Sequence, residues 1–403
     1  MSPVLPLEII SLIIDNVGEK DTNFLKQLAL VSHSFQQICI KHLFATVELH
    51  DASSKKGFIK LLKRRPDVVK YIRKLTYKIE NNNQLPTCPS FVEDDDYLLS
   101  SILPNLLRTI PHLNCLTINA SSSDWNTLDS SLTSAFIHLM YLPTMNHISL
   151  SFIRNFPPSI LSSSANLHRL DMRSLKPLQE DGFPEVVMET RMMPKIREFH
   201  TSDSDELTTK LLHAKGQDGR PAFNFMDLRR LSMSFTWSED EQNLRYLLQN
   251  AKLLEELDLT VFSDDDLVGL QEILSPTLKV LDLTVSLYSD FLSLPLARLC
   301  NELEAMAGHN ILEALSLKVH LEGHETGDFI GSIFQSVEKV LVKPGWSSLR
   351  HVFFEVRVSI ACWGDSEELC EAIQCLPGKY LSHLSKLESV TFDYLANVQV
   401  GHH

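Results

Sequence analysis

Glycine is scarce in this sequence, with 14 glycines among 403 residues, or about half the usual share. Loops that cradle phosphate groups depend on glycine, because only its backbone can approach a phosphate so closely. Neither the G-x-x-x-x-G-K pattern nor the G-x-G-x-x-G pattern occurs. These absences argue against nucleotide-binding proteins of the P-loop and dinucleotide types.

The sequence also has no closely spaced cysteine pair, no long apolar run and no excess of basic charge. Its seven cysteines are odd in number, none stands at C-x-x-C spacing, and the gaps between Cys362, Cys370 and Cys375 are too wide for a zinc ribbon. No apolar run approaches the roughly 18 residues of a membrane span. The net charge of −14 argues against nucleic-acid binding. We therefore expect reduced thiols, no metal, no membrane partner, and an intracellular location in the cytoplasm, the nucleus or both.

Motifs for catalysis are missing as well. There is no H-E-x-x-H and no G-x-S-x-G, and no pattern singles out a nucleophilic cysteine. The first residues carry no Lys or Arg ahead of a short apolar run that Glu8 interrupts, which is not a secretory signal. The sequence thus predicts a protein with no catalytic residues and no cofactor, although a cysteine enzyme on an unusual frame stays open.

What the sequence does contain is a recurring string: an apolar residue, two free positions, an apolar residue, one free position and an apolar residue. The eleven copies begin at Ile72, Leu113, Met145, Leu167, Ile196, Leu228, Leu254, Leu278, Leu312, Leu349 and Leu387. The copy at Ile196 is weak, because its third site is Thr201. Their last two apolar sites are two apart, which is the period of a strand. Between copies, helical spacing occurs, as in Leu244, Leu247 and Leu248. Each copy therefore predicts a strand–loop–helix unit, which must stack on its neighbours to bury its apolar side.

This pattern resembles the leucine-rich-repeat family over about residues 70 to 395. The resemblance implies an α/β solenoid that forms an irregular arc or horseshoe, here over residues 72–403. In such a solenoid, the free strand positions point away from the core and line one face of the sheet. On this face the sequence predicts a surface for a protein substrate, formed by Asp258, Asp282, Lys318, Phe353, Glu355 and Arg357. A merely solvated sheet face is the alternative.

The first 50 residues do not follow the repeat. Apolar spacing predicts three short helices, the first of them apolar nearly all round and ending at Gly18. Three such helices form too small a core to hide this much apolar surface, so the excess predicts a partner. The alternative is a helical cap that shields the first repeat, and both roles could coexist.

The residues of this segment carry a second resemblance. The stretch LPLEIISLIIDNV, followed by LKQLALVSHSFQQICIKHLF, resembles an F-box, the helical module that docks onto the Skp-type adaptor of cullin–RING ubiquitin ligases. The resemblance implies an adaptor-binding set that consists of Leu5, Pro6, Leu7, Glu8, Ile9, Ile13, Leu30, Val31, Ser32 and Phe35.

A basic segment follows the helices. Residues 55 to 78 hold ten Lys or Arg against Asp67 alone, and Phe58, Leu61 and Leu62 give the segment an amphipathic helical pattern. This predicts a linker helix over residues 51–71 whose basic face is either solvated or docked against an acidic partner. The predicted organisation is therefore an F-box over residues 1–50, the linker, and the repeat solenoid.

The pairing of an N-terminal F-box with leucine-rich repeats is typical of fungal-type F-box proteins. It implies a substrate-recognition subunit of a cullin–RING (SCF-type) ligase, which binds the adaptor, through it the cullin, and a target protein for ubiquitin-dependent degradation. Such a subunit performs no bond chemistry itself. Two further alternatives stay open: a leucine-rich-repeat scaffold or inhibitor that never meets an adaptor, and an F-box protein that works outside ubiquitin transfer.

Overall fold

The computed structural model describes most of the chain. The described residues are 7–18, 21–80, 101–178, 193–216, 219–234, 238–261, 277–288, 297–308, 310–322, 327–360 and 366–400. They fall into two compact units. Unit 1 comprises Met1–Pro194 with His213–Phe223, and unit 2 comprises Lys195–Leu212 with Asn224–His403.

Unit 1 opens with three short helices, α1 (Leu7–Gly18), α2 (Thr22–Leu28) and α3 (His33–Leu43). Two of them begin at residues that cap the orphan N–H groups of the first turn. Asp21 accepts a hydrogen bond from the Phe24 N–H at 2.9 Å, and Ser32 accepts one from the Phe35 N–H at 3.3 Å. The three predicted helices are therefore present.

The rest of unit 1 is a parallel ladder of strands in chain order. The strands are β1 (Thr46–Leu49), β2 (Lys74–Ile79), β3 (Cys115–Asp124), β4 (His147–Arg154) and β5 (Arg169–Arg173). Helices α4 (Ala52–Arg64), α5 (Leu103–Leu107), α6 (Ser130–Met140) and α7 (Ser159–Ser162) lie between successive strands in sequence, and a 3₁₀ helix spans Pro66–Tyr71.

Unit 2 repeats this arrangement. Its parallel strands are β6 (Glu198–Ser202), β7 (Arg230–Ser234), β8 (Glu256–Val261), β9 (Val280–Tyr288), β10 (Ala314–Glu322), β11 (His351–Ile360) and β12 (Thr391–Val400). Its helices are α8 (Asp205–His213), α9 (Ser238–Asn250), α10 (Ala297–Met306), α11 (Gly327–Leu341), α12 (Ser366–Gln374) and α13 (Leu376–Tyr380), with a 3₁₀ turn at Leu384–Lys386. Both units are thus α/β stacks of strand–helix repeats, which agrees with a leucine-rich-repeat-like solenoid.

The predicted strand of every copy from the first to the tenth lies where its string places it. The second apolar sites stand in register and are buried: in unit 1 they are Leu75, Leu116, Ile148 and Leu170, and in unit 2 they are Phe199, Leu231, Leu257, Leu281, Leu315 and Val352. Parallel strands with in-register apolar sites bury one continuous face, as stacking requires.

The eleventh copy is displaced by two residues from its predicted register. Val390 precedes the last strand, and Phe392 instead pairs with Val352 as the second apolar site. The string fitted two residues too early because Val390, Phe392 and Tyr394 continue the same alternation, whereas the true first site is the polar Ser389. A period-two pattern alone cannot distinguish registers that differ by two.

The structure also contains a strand that the sequence did not predict. Thr46–Leu49, directly after α3, pairs in parallel with β2, so the sheet begins within the segment assigned to the helical module. Phe44, Val47 and Leu49 follow the same string as the later copies, but this stretch was assigned to the helical module, which explains why the strand was missed. The helix predicted in the basic segment is α4, which buries Phe58, Ile59 and Leu62. One of its basic residues, Lys55, is also buried, 3.7 Å from Glu80 and over the ring of Tyr77.

Glycine is required at one turn of unit 2. Gly345 has a φ of +124°, and a Cβ built there would lie 2.6 Å from the backbone nitrogen of Gly308. We expect Gly345→Ala to destabilise the protein by about 2 kcal/mol, because the left-handed backbone and the contact with main-chain atoms cannot both relax. Gly378→Ala is the matched control, since a Cβ there meets nothing within 4 Å. Urea unfolding of both variants, followed by circular dichroism, tests this expectation, which equal midpoints would contradict.

None of the helices within the described ranges is both long enough and apolar enough to cross a bilayer.

Candidate functional site

The first candidate surface lies on α1. Ile14 is buried with Leu25 and Cys39 in the core of the three helices, and Ile10 packs against that core. The other side of the helix carries Ile9, Leu12 and Ile13, whose exposed fractions are 44%, 59% and 48%. The spacing of three and four residues places these three side chains on one face of α1. Because α1 has apolar residues on both its inner and its outer face, the module buries the inner face and exposes the outer face to solvent.

The turn between α2 and α3 adds two more apolar side chains. Leu30 is 88% exposed and Val31 is 67% exposed. The neighbouring predicted residues have structural roles: Ser32 caps α3, and Phe35 is half-buried against the core of the helices. Leu30 and Val31 have no such role that the described contacts reveal. We call Ile9, Leu12, Ile13, Leu30 and Val31 the N-terminal apolar surface.

Of the remaining predicted adaptor residues, Leu5 and Pro6 lie outside the described residues. Leu7 and Glu8 form the beginning of α1, as the sequence predicts for a helix that starts here. Leu12 was not among the predicted contacts, although its exposed fraction exceeds those of Ile9 and Ile13. The signal that could have found it is its helical spacing from Ile9.

An ion pair fixes α1 against α3. The Asp15 carboxylate lies 2.7 Å from Lys41 Nζ and 2.7 Å from His42 Nε2. The hydrogen bond from Lys41 lowers the pKa of Asp15, burial opposes this effect, and His42 contributes to the lowering. The contact links the helix that carries Ile9, Leu12 and Ile13 to the rest of the module, so the exposed side chains are presented on a supported helix.

The second candidate surface is the outward face of the unit 2 strands, opposite their buried leucines. Register places Asp258, Asp282, Ser316 and Phe353 in one row across β8 to β11, and Thr260, Thr284, Lys318 and Glu355 in the next. We call the eight residues that carry its chemistry the polar sheet face: Asp258, Asp282, Ser316, Lys318, His320, Phe353, Glu355 and Arg357. All six residues predicted for substrate binding belong to it.

Two carboxylates dominate one side of this face. Lys318 Nζ lies 2.8 Å from Asp282 Oδ2, and Asp258 accepts a hydrogen bond from Ser232 at 3.0 Å. Burial raises the pKa of Asp258, the bond from Ser232 opposes the rise, and the Asp282 carboxylate adds to it. Two acids thus share a single described lysine, which leaves this side of the face with excess negative charge.

The other side of the face is formed by β10 and β11. Glu355 is buried and pairs with Arg357, whose side chain is 46% exposed. Burial lowers the pKa of His320, and the nearby Arg357 guanidinium adds to the effect. The polar atoms Asp282 Oδ1, Ser316 Oγ and His320 Nε2 are inaccessible to solvent and have no hydrogen-bond partner among the described residues. Phe353 is half-buried and stands beside Ser316 on the neighbouring strand.

Chemically, this face combines hydrogen-bonding groups, a half-buried aromatic ring and excess negative charge at Asp258 and Asp282. That combination suits a peptide or protein segment better than a small ligand, since the groups lie spread across four strands. In the part of the chain that the structure describes, no group of three or more His, Cys, Asp and Glu side chains could hold a metal ion.

Comparisons with known proteins give little further information. No protein-family model matches the chain, and no curated protein matches it. Among solved structures, the chain is similar to human 5T4 (Wnt-activated inhibitory factor 1, trophoblast glycoprotein), at 17% identity over 80% of this chain and 78% of that one, with a TM-score of 0.25. A TM-score this low does not inform the fold or the function.

Proposed function

We propose that this protein is a substrate-recognition subunit of a cullin–RING ubiquitin ligase. In this function the three N-terminal helices bind a Skp-type adaptor, and the polar sheet face of unit 2 captures a target protein. The protein acts by position: it holds a target lysine near the ubiquitin carrier and raises its effective concentration.

The observation that carries the proposal is the N-terminal apolar surface. Five large aliphatic side chains, three on α1 and two in the turn between α2 and α3, are 44% to 88% exposed. Among the described residues, the core of the three helices contains Ile14, Leu25 and Cys39 as its fully buried side chains. A module that buries so little and exposes so much gains stability when a partner covers it. Four of these five side chains belong to the adaptor-binding set that the F-box resemblance implies, namely Ile9, Ile13, Leu30 and Val31.

The interaction of the full chain with a purified Skp-type adaptor tests the adaptor half of the proposal. We expect a 1:1 complex in size-exclusion chromatography with light scattering, with a dissociation constant of about 1 μM or lower, because burial of several aliphatic side chains supplies the needed free energy. The same complex is expected to recruit the cullin. No complex at adaptor concentrations of tens of micromolar would exclude the ligase function.

The substrate half is tested with a variant that keeps the adaptor surface intact. We expect Asp282→Asn combined with Phe353→Ala to retain adaptor binding but to lose proteins that the wild-type chain captures and that are ubiquitinated in a reconstituted ligase reaction. Met226→Ser is the matched control, since Met226 is exposed elsewhere in unit 2. Equal ubiquitination with the double variant would show that the polar sheet face is not the capture surface.

A scaffold or inhibitor without ubiquitin transfer is the second candidate, because the polar sheet face exists independently of the three helices. The experiments separate the two functions. Capture that depends on Asp282 and Phe353, without any adaptor complex, would favour the scaffold.

A further inference from the structure

Unit 1 contains a chain of three hydrogen-bonded side chains that neither proposed binding surface includes. Cys115 Sγ lies 3.2 Å from His147 Nδ1, and His147 Nε2 lies 2.8 Å from Asp171 Oδ2. The three residues come from β3, β4 and β5, adjacent strands whose register places Cys115 beside His147. All three project from the face opposite the buried Leu116, Ile148 and Leu170.

We infer that Cys115 is an activated thiol, a modification site that hydroperoxides oxidise to a sulfenic acid. An imidazole within hydrogen-bond distance of a sulfur is the arrangement that generates reactive thiolates in proteins, and a carboxylate on the other ring nitrogen fixes the ring orientation and stabilises its charged form. Cys115 is partly exposed, so a small oxidant can reach the sulfur.

The charged groups around His147 favour its protonated form. Asp171 faces it from β5, where the Arg169 Nε lies 3.1 Å from the same carboxylate, and Cys115 faces it from β3. Burial works against the charged ring, but the hydrogen bonds with Asp171 and Cys115 outweigh burial and raise the pKa of His147 to about 9. At neutral pH both ring nitrogens therefore carry protons, and Nδ1 donates to the Cys115 sulfur.

Oxidation of Cys115 to a sulfenic acid requires only these side chains and one hydroperoxide. The Cys115 thiolate attacks one peroxide oxygen, so that an S–O bond forms and the O–O bond breaks. The departing oxygen takes the Nδ1 proton of His147 and leaves as water or an alcohol. The sulfur is oxidised by two electrons to a sulfenic acid, the peroxide is reduced, and His147 is left neutral.

The other described cysteines lack this environment. Cys39 and Cys300 are buried, and burial raises the pKa of both thiols, that of Cys300 to about 11. Cys370 lies beside the amide of Gln374, which supplies no base, and Cys375 is exposed. Cys375 therefore serves as an unactivated reference within the same molecule. Cys88 and Cys362 lie outside the described residues.

The test exposes the full chain to hydrogen peroxide at pH 6.5, traps sulfenic acid with dimedone, and measures the labelling rate of each cysteine by peptide mass spectrometry. We expect Cys115 to be labelled at least tenfold faster than Cys375. This ratio is expected to decline above about pH 9, where His147 loses its proton. A ratio near one at pH 6.5 would overturn the inference.

Variants separate activation from simple packing. We expect His147→Asn to slow labelling of Cys115 at least tenfold and Asp171→Asn to slow it severalfold, whereas the exposed His138→Asn on α6 leaves it unchanged. If His147 only covers the sulfur, its removal uncovers Cys115 and labelling accelerates, which would contradict the inference. Should His147→Asn fail to fold, as judged by circular dichroism, Asp171→Asn decides the outcome in the same way.

Discussion

Replacing Leu30 and Val31 with serine is expected to weaken binding of the Skp-type adaptor by about 100-fold. Full burial of each side chain contributes roughly 1.5 to 3 kcal/mol, and the serine hydroxyls restore none of it, so a loss of about 3 kcal/mol corresponds to two orders of magnitude in affinity. Isothermal titration calorimetry with the purified adaptor measures the change. An affinity within threefold of the wild-type value would remove the turn between α2 and α3 from the interface.

This double variant is informative because it leaves the folded module intact. Leu30 and Val31 are so exposed that serine is expected to change the free energy of unfolding by less than about 0.5 kcal/mol. Ile311→Ser is the matched control, since Ile311 is an aliphatic residue of unit 2 with 42% exposure. Loss of adaptor binding in the control as well would point to a general effect of surface polarity.

The second large effect is expected in the core of unit 1, at Phe136. This side chain is fully buried, with its ring 5.1 Å from that of Tyr77 in an edge-to-face contact and 6.4 Å from that of Trp125. We expect Phe136→Ala to reduce the free energy of unfolding by about 3 to 5 kcal/mol, because it removes a large buried surface and leaves a cavity between α6 and the sheet.

Urea unfolding followed by circular dichroism measures this loss, and hydrogen exchange with peptide resolution locates it. The increase in exchange is expected in peptides of α6 and β2, the strand that carries Tyr77, whereas peptides of unit 2 serve as an internal reference. Phe24→Ala, the same change at an exposed position, is expected to cost about 1 kcal/mol or less. A loss of less than 1 kcal/mol for Phe136→Ala would show that the cavity collapses and that the aromatic contacts contribute little.

Much of the repeat architecture could be predicted from the sequence, because each copy carries its own strand signal. The alternation at Leu257 and Leu259, or at Leu315 and Leu317, is local, and stacking of identical units needs no information from distant residues. The prediction failed where the local signal was ambiguous or was assigned to another element. In the last copy, Val390 and Phe392 continue an alternation that fits two registers. At β1 the string of Phe44, Val47 and Leu49 is present, but the stretch was assigned to the helical module.

For the two candidate surfaces, too, some features could be predicted from the sequence and others could not. Exposure of Ile9 and Ile13 could be anticipated, because a short helix that is apolar all round cannot bury both faces. Whether a given side chain is available for binding could not be anticipated. Phe35 was assigned to the adaptor surface, yet the structure places it half-buried against the helical core, and Glu355 was assigned to the substrate surface, yet it is buried in a pair with Arg357.

By itself the sequence determined the repeat, the positions of most strands, the excess of apolar surface at the N-terminal helices and the set of side chains on the outward sheet face of unit 2. Only the tertiary structure decided which of those side chains meet. His147 follows Cys115 by 32 residues, and Asp171 follows His147 by 24. The three match no motif for catalysis, so the sequence singled out no nucleophilic cysteine. Parallel register brings them within hydrogen-bond distance, because neighbouring strands lie about 4.8 Å apart whatever the length of chain between them.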